Sequence, residues 1–439
     1  MTTRQTLALL RRYESRNVTF MEPDGSWPVV WQRAQGTRVW DAEGREYLDL
    51  TAAFGVAAAG HANPRVVAAG QRQMSRLLHA MGDVHPHELK ARLAQELSRI
   101  TFERWSRGGR KRTATGKTIF CNSGFEAVEA ALKTARLATG KSGVIGFEGA
   151  YHGLGYGTLN LTHRGLFRDS FRDQLGRFGH FVPFPGTQAD QDLVISKISS
   201  LLRRSSVGAV LIEPVQARGG IRVPDPSFLT RLRRLCDQDA ALLIVDEIYT
   251  GFGRTGAWFA CERSGVAPDL ICLGKALTGG FPLSACVGRA DVMDAAWPAS
   301  AGEAIHTSTF LGHPVGCAMA LAQISEIRSR RLVERSAELG SFLIETLRSR
   351  ISHPRLRIHA RGLGLLAGVE LLQPNGEPAT EAALAAIKTM LHRGFILLPE
   401  GEHANVISFS PPLTISRRGL QRTVIALNEV LQLAPGGAK

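Results

Sequence analysis

Short apolar runs alternate with amphipathic stretches between residues 118 and 274. TIFC (118–121), GVIGF (143–147), VGAVLIE (207–213), ALLIVDEI (241–248) and LICLG (270–274) are rich in Val, Ile and Leu and do not alternate with polar residues. Strands buried on both faces of a parallel sheet read this way. Between the first two, EAVEAALKTARLATG places apolar residues at 127, 128, 131, 132 and 135, a helical period, with Gly140 as its expected cap. SFLTRLRRLCDQD predicts a second helix between two of the strands. The class is therefore α/β.

The flanks differ. VWDAEGREYLDL predicts a hairpin turning near Gly44, and residues 61–103 read as helical. Beyond about residue 313, two long helical patterns lead into strand signals (LGLLAGVELL, FILLP, NVISFS) and a closing helix. These shifts predict an N-terminal segment over 1–60 that packs with the small domain, a large domain over 61–320 and a smaller α+β domain over 321–439.

Composition narrows the classes. With 439 residues, 44% of them hydrophobic, the chain can bury a sizeable core, and wholesale disorder is excluded. No apolar run approaches the roughly 20 residues that span a bilayer. The start, MTTRQTLALLRRYESRN, has no long apolar stretch of the secretory kind, so a cytoplasmic location is expected. The net charge of +14 raises the prospect of anionic partners. The basic stretch RWSRGGRKRTATGK (104–117) reads as a solvated surface loop, because no aromatic ladder for nucleic acid accompanies it. The six cysteines form no C-x-x-C pair and read as buried free thiols, with neither a metal site nor a disulfide framework. Arginine supplies most of the excess charge; only nine lysines are present.

In an open parallel sheet, ligands bind beyond the carboxyl ends of the strands. The residues just past each apolar run are therefore informative. TIFC leads into Asn122-Ser123-Gly124-Phe125 at a helix start, where free N–H groups and the helix dipole suit an anion. GVIGF leads towards Tyr151 and His152, AVLI into Glu213, and ALLIV into Asp246. LICLG leads into Lys275, which precedes a glycine-containing, otherwise apolar turn. Partial desolvation there would lower the amine's pKa, the condition for Schiff-base chemistry. Gly251-Phe252-Gly253-Arg254-Thr255-Gly256 matches G-x-G-x-x-G. Its strand ends in Asp-Glu, which would repel a pyrophosphate, so no dinucleotide site is expected. A phosphate cradle, an aromatic, an acid and an isolated lysine together describe pyridoxal 5'-phosphate.

On these motifs the chain resembles the class III aminotransferases, pyridoxal-phosphate enzymes of fold type I. The segments GHANP, NSGFEAVEAALKTAR, GAYHG, IEPVQ, VDEIYTGFGRTG, APDLICLGKALTGGFPLSA and HTSTFLGHP carry the likeness in this order. It implies a large domain with a mostly parallel, seven-stranded type of sheet flanked by helices. It also implies transfer of an amino group from an amine or amino acid to a keto acid or aldehyde. Relatives that act as racemases, epimerases or aminomutases share the scaffold, and an inactive binding protein on it is a more distant alternative. By the resemblance, Lys275 is the Schiff-base lysine and proton shuttle, and Asp246 pairs with the pyridinium nitrogen. Ser123, Gly124 and the Phe125 N–H hold the phosphate. Tyr151 and Ile248 cover the two ring faces, and His152 supports Tyr151. A homodimer or higher oligomer is implied, with Thr309 reaching the partner's cofactor phosphate and Phe54 walling the substrate pocket.

Three positions depart from the family pattern, the first being Phe125, where a small residue or a hydroxyl is usual. Many members read EPVQGEGG, whose second Glu gates a C-terminal arginine that grips an α-carboxylate. Here the gating position is Arg218, and the arginine position corresponds to Ser408. No internal carboxylate is evident for Arg218, so it is expected to bind a substrate carboxylate.

Overall fold

The computed structural model describes residues 1–106, 114–186, 188–204 and 206–433. Half of the basic loop, residues 107–113, lies outside these.

An N-terminal sheet comprises β1 (Trp31–Gln35), β2 (Arg38–Asp41) and β3 (Glu46–Asp49). The central sheet holds β4 (Gly116–Cys121), β5 (Gly143–Phe147), β6 (Gly179–Val182), β7 (Val207–Ile212), β8 (Leu242–Asp246), β9 (Leu270–Leu273) and β10 (Ser284–Arg289). The strand order is β4-β10-β9-β8-β7-β5-β6. Every pairing is parallel except the two made by β10.

Non-alternating apolar runs have a direct cause here. Successive strand residues point to opposite faces, and both faces are covered. Leu243 and Val245 of β8 pack into one buried cluster with Phe147 and Phe228, whereas Ile244 packs into another with Val128 and Leu211. Each such side chain, fully buried, contributes about 1.5–3 kcal/mol. The helix Gly124–Thr139 buries all five of its predicted apolar positions in the second cluster. It stops at Gly140, whose φ of 68° lies in the left-handed region.

The hairpin near Gly44 forms from β2 and β3. The helical stretch of 61–103 is interrupted: helices Pro64–Arg76 and Glu88–Ile100 flank turns and irregular chain. Pro86 accounts for part of the break, because it lacks an N–H and disfavours helical backbone in His85 before it. One helix, Pro314–Ser329, runs through residue 320 and packs on Pro64–Arg76.

Towards the C-terminus, β11 (Arg357–Leu363), β12 (Leu366–Leu372), β14 (Leu398–Glu400) and β15 (Val406–Phe409) form an antiparallel sheet in the order β11-β12-β15-β14. Strand β13 (Phe395–Ile396) leaves it and pairs in parallel with β3, tying the N-terminal hairpin to the C-terminal region. All six cysteines are free and buried. Among the described residues, no helix is long and apolar enough to cross a membrane.

Candidate active site

The carboxyl ends of five strands converge on one edge of the central sheet. A cavity of about 330 Å³ opens there. Gly124, Phe125, Tyr151, His152, Arg218, Asp246, Ile248 and Lys275 line it, joined by Glu213 and Tyr249.

Asp246 ends β8 and is buried. Ile248 N–H donates to its Oδ1 at 3.0 Å, and His152 Nδ1 lies 2.7 Å from its Oδ2. These contacts fix the carboxylate's orientation. They also revise the expected role of His152, whose ring meets Asp246 instead of bracing Tyr151. His152 Nε2 is buried and has no hydrogen-bond partner among the described residues.

Lys275 follows β9 in a short 3₁₀ turn, with a left-handed φ of 39°. A non-glycine residue rarely sits there without a functional reason. Burial pushes its amine below the ordinary value, and Asp246 and Glu213 pull it back up. Its Nζ lies 4.6 Å from the centre of the Tyr249 ring, and Tyr249 Oη is 3.0 Å from Ser410 Oγ. Glu213 is buried just after β7 and accepts the Tyr151 N–H at 3.1 Å. Burial pushes its carboxyl up to about 7, against the pull of His152.

The anion end lies at the N-terminus of Gly124–Thr139. The Glu126 carboxylate accepts the N–H groups of Asn122 at 2.6 Å and Ser123 at 3.1 Å. Ser284 Oγ donates to Ser123 O at 2.6 Å, locking the turn to β10. Ser123 Oγ is buried and makes no full hydrogen bond, although it faces the Glu126 N–H in a capping-box arrangement with the Glu126 carboxylate. The bulky Phe125 fits because glycines oppose it. A Cβ at Gly153, where φ is +100°, would stand 2.3 Å from Phe125 Cβ, and one at Gly155 2.6 Å from the ring.

Thr309, Phe54 and Ser123 do not line the cavity of their own chain. Thr309 is exposed in a turn. Phe54 is 49% exposed at the tip of a left-handed turn in which Ala52, Ala53, Phe54 and Gly55 all have positive φ. Asp49 anchors that turn by accepting the Thr51 N–H and Oγ1–H at 2.7 and 2.6 Å.

An internal carboxylate does face Arg218, which the sequence did not make evident. Glu400 Oε2 stands 3.8 Å from Arg218 Nε, and the guanidinium lies over Tyr151, 4.9 Å from the ring centre. Ser408 is instead taken up in its own sheet, donating to Leu398 O at 2.9 Å. Glu400 carried the same signal as Asp246, a charge closing an apolar strand run.

An orphaned buried hydroxyl beside free helix N–H groups, a fixed carboxylate and a desolvated lysine fit pyridoxal 5'-phosphate. Fold and site together define a pyridoxal-phosphate enzyme of fold type I. More narrowly, the chain belongs to the class III aminotransferases, whose family model matches residues 20–431. It is 36% identical to an acetylornithine aminotransferase of Methanosarcina mazei, over 93% of each chain. It is 37% identical to the 5-aminovalerate aminotransferase DavT of Pseudomonas aeruginosa, over 92% of this chain and 93% of that one. Among solved structures, the ornithine aminotransferase of Toxoplasma gondii superposes with a TM-score of 0.84 and 28% identity, covering 98% of this chain and 94% of that one. An amine transaminase from an uncultivated Pseudomonas species, in its pyridoxal-phosphate-bound form, gives 0.85 and 28%, over 96% and 98%. The protein is an aminotransferase that uses pyridoxal 5'-phosphate to move an amino group from an amine donor to a keto acceptor.

Proposed function

We propose that Lys275 anchors the cofactor and moves the proton at the substrate carbon, with Asp246 as counter-charge to the ring nitrogen. One observation carries this reading: among the described residues no other lysine lines the cavity, and Asp246 lines it too. When bound, the cofactor supplies an electron sink for a carbanion at that carbon. An amine whose pKa burial lowers gives up a proton more readily than a free lysine and can retake it. His152 and the Ile248 N–H keep Asp246 aligned. Ser123 Oγ with the Gly124 and Phe125 N–H groups takes the phosphate, and Tyr151 and Ile248 enclose the ring.

Arg218 is the carboxylate receptor in this proposal. No hydrogen bond occupies its guanidinium among the described residues, and it lines the cavity beside Tyr151. The acetylornithine and 5-aminovalerate for which two relatives are named both carry a carboxylate. Two copies of the chain form the working unit in the cytoplasm, with Thr309 and Phe54 serving the partner's site. Exposed apolar side chains support this: Phe125 and Leu154 at the cavity and Phe54 and Phe310 outside its lining are 37–54% exposed.

Donor alone, added to the holoenzyme, should shift the cofactor's absorbance to that of its amine form. Borohydride reduction and peptide mapping should then place the cofactor on Lys275. A label on another lysine would overturn the assignment.

A further inference from the structure

Glu400 is the surplus charge of this site. It closes β14 with 5% of its surface exposed, and its only charged partner within 4 Å among the described residues is Arg218. The contact is loose. At 3.8 Å it is too long for a hydrogen bond, and Arg218 Nε is buried with no hydrogen-bond partner. About a third of the Arg218 side chain is nonetheless exposed. Of the three guanidinium nitrogens only Nε is both buried and unpartnered; the Nη atoms have no hydrogen bond either among the described residues and are not buried.

Both backbones are held firmly. Gly401 N–H donates to Arg218 O at 3.1 Å, joining the two turns directly. From the other side, Arg361 Nε donates to Gly220 O at 3.1 Å and Ile221 O at 3.0 Å, and its Nη2 to Gly220 O at 2.6 Å. The two charges are thus fixed as neighbours yet not closed into a bidentate pair.

We propose that Glu400 is a specificity-determining residue: it faces the Nε edge of Arg218, leaves the Nη end to one substrate carboxylate, and weakens binding of dicarboxylates. This rests on Arg218 being the carboxylate receptor. The physical basis is charge summation. A guanidinium already facing one carboxylate attracts a second less strongly, and a third negative charge nearby meets repulsion. Lys275 and Arg164 are the other cations that act on Glu400. The substrate class that fits is an amino acid, or the matching keto acid, with a single carboxylate.

Calorimetry on the holoenzyme tests this at about pH 8.5, where Glu400 is ionised although burial pushes its carboxyl up to about 7, with two unreactive probes, pentanoate and glutarate. Glu400→Gln should bind pentanoate about tenfold more tightly than the parent, the equivalent of one modest charge interaction. Its gain for glutarate should be larger. Glu400→Asp keeps the charge and should stay close to the parent, which separates charge from damage to the fold. Arg218→Gln should lose both probes, and in that background Glu400→Gln should gain nothing. If Arg218→Gln loses pentanoate but Glu400→Gln changes neither probe, the role of Glu400 is overturned and the Arg218 receptor stands. If Arg218→Gln binds pentanoate like the parent, the receptor reading falls and this inference falls with it.

Discussion

At the residue scale, each charge of the site closes or follows an apolar strand. Asp246, Glu213, Lys275 and Glu400 all do so, and burial moves the last three away from their ordinary pKa values. Lys275→Ala should yield a protein that no longer holds the cofactor covalently, seen as loss of its yellow colour. Asp246→Asn should still bind the cofactor but lose more than about tenfold in kcat, because the charge it balances matters most in the transition state. A smaller loss, measured at saturating substrate, would make Asp246 structural. Arg218→Ala should raise KM for carboxylate donors at least about tenfold more than for simple amines. Equal effects on both donor types would assign Arg218 to the surface.

At the element scale, the turn after β5 and the start of the helix Gly124–Thr139 are matched to each other. Phe125 stands where a small residue is usual, and Gly153 and Gly155 leave room for it. Gly153→Ala would combine a strained positive φ, costing about 1–2 kcal/mol, with a clash on Phe125. Thermal denaturation should show a clear loss in this variant. Phe125→Gly in the same chain should relieve most of the clash, which falls on the Phe125 Cβ, but not the backbone strain, leaving a coupling of more than about 0.5 kcal/mol. Additive effects would mean that the two turns move apart instead. The apolar strands were legible because runs buried on both faces do not alternate, and this helix because it buries one periodic face; β6 and β10 carried no such run and were not read. The break between residues 77 and 87 is marked by Gly82 and Pro86, but the helical reading of 61–103 followed composition across them.

At the scale of the whole molecule, assembly and pH response come into play. Lys275→Ala and Thr309→Ala subunits, each inactive alone, should regain partial activity as heterodimers, where one site receives both intact groups. No recovery in verified heterodimers would place Thr309 in its own chain's site. Stability should also carry an acid signature. Glu247 is fully buried, and burial pushes its carboxyl from 4.5 up to about 7, against hydrogen bonds from Thr250 and the backbone of Ala260 and Cys261. Between those values the folded chain holds a proton that the unfolded chain has released. Folding stability therefore falls as pH rises through this window, by about 3 kcal/mol for such a shift, and levels off above it. Glu247→Gln should remove that share. Its Tm relative to the parent should rise from about pH 5 to about pH 8. A constant difference would show that Glu247 is ionised in the folded protein.

The sequence alone determined the α/β class, the order of strands and helices, and the edge at which chemistry gathers. Each of these rests on local pattern: apolar periodicity, glycine caps, and a charge where a strand stops. Tertiary structure alone decided which distant groups meet. Arg218 and Glu400 are 182 positions apart, and Gly401 and Arg361 bring their turns together through backbone bonds that no residue pattern announces. His152 likewise turned to Asp246, 94 positions away, because parallel β5 and β8 end at the same edge with β7 between them. Periodicity reports which face of an element is buried, whereas the partner across the site depends on how the elements pack.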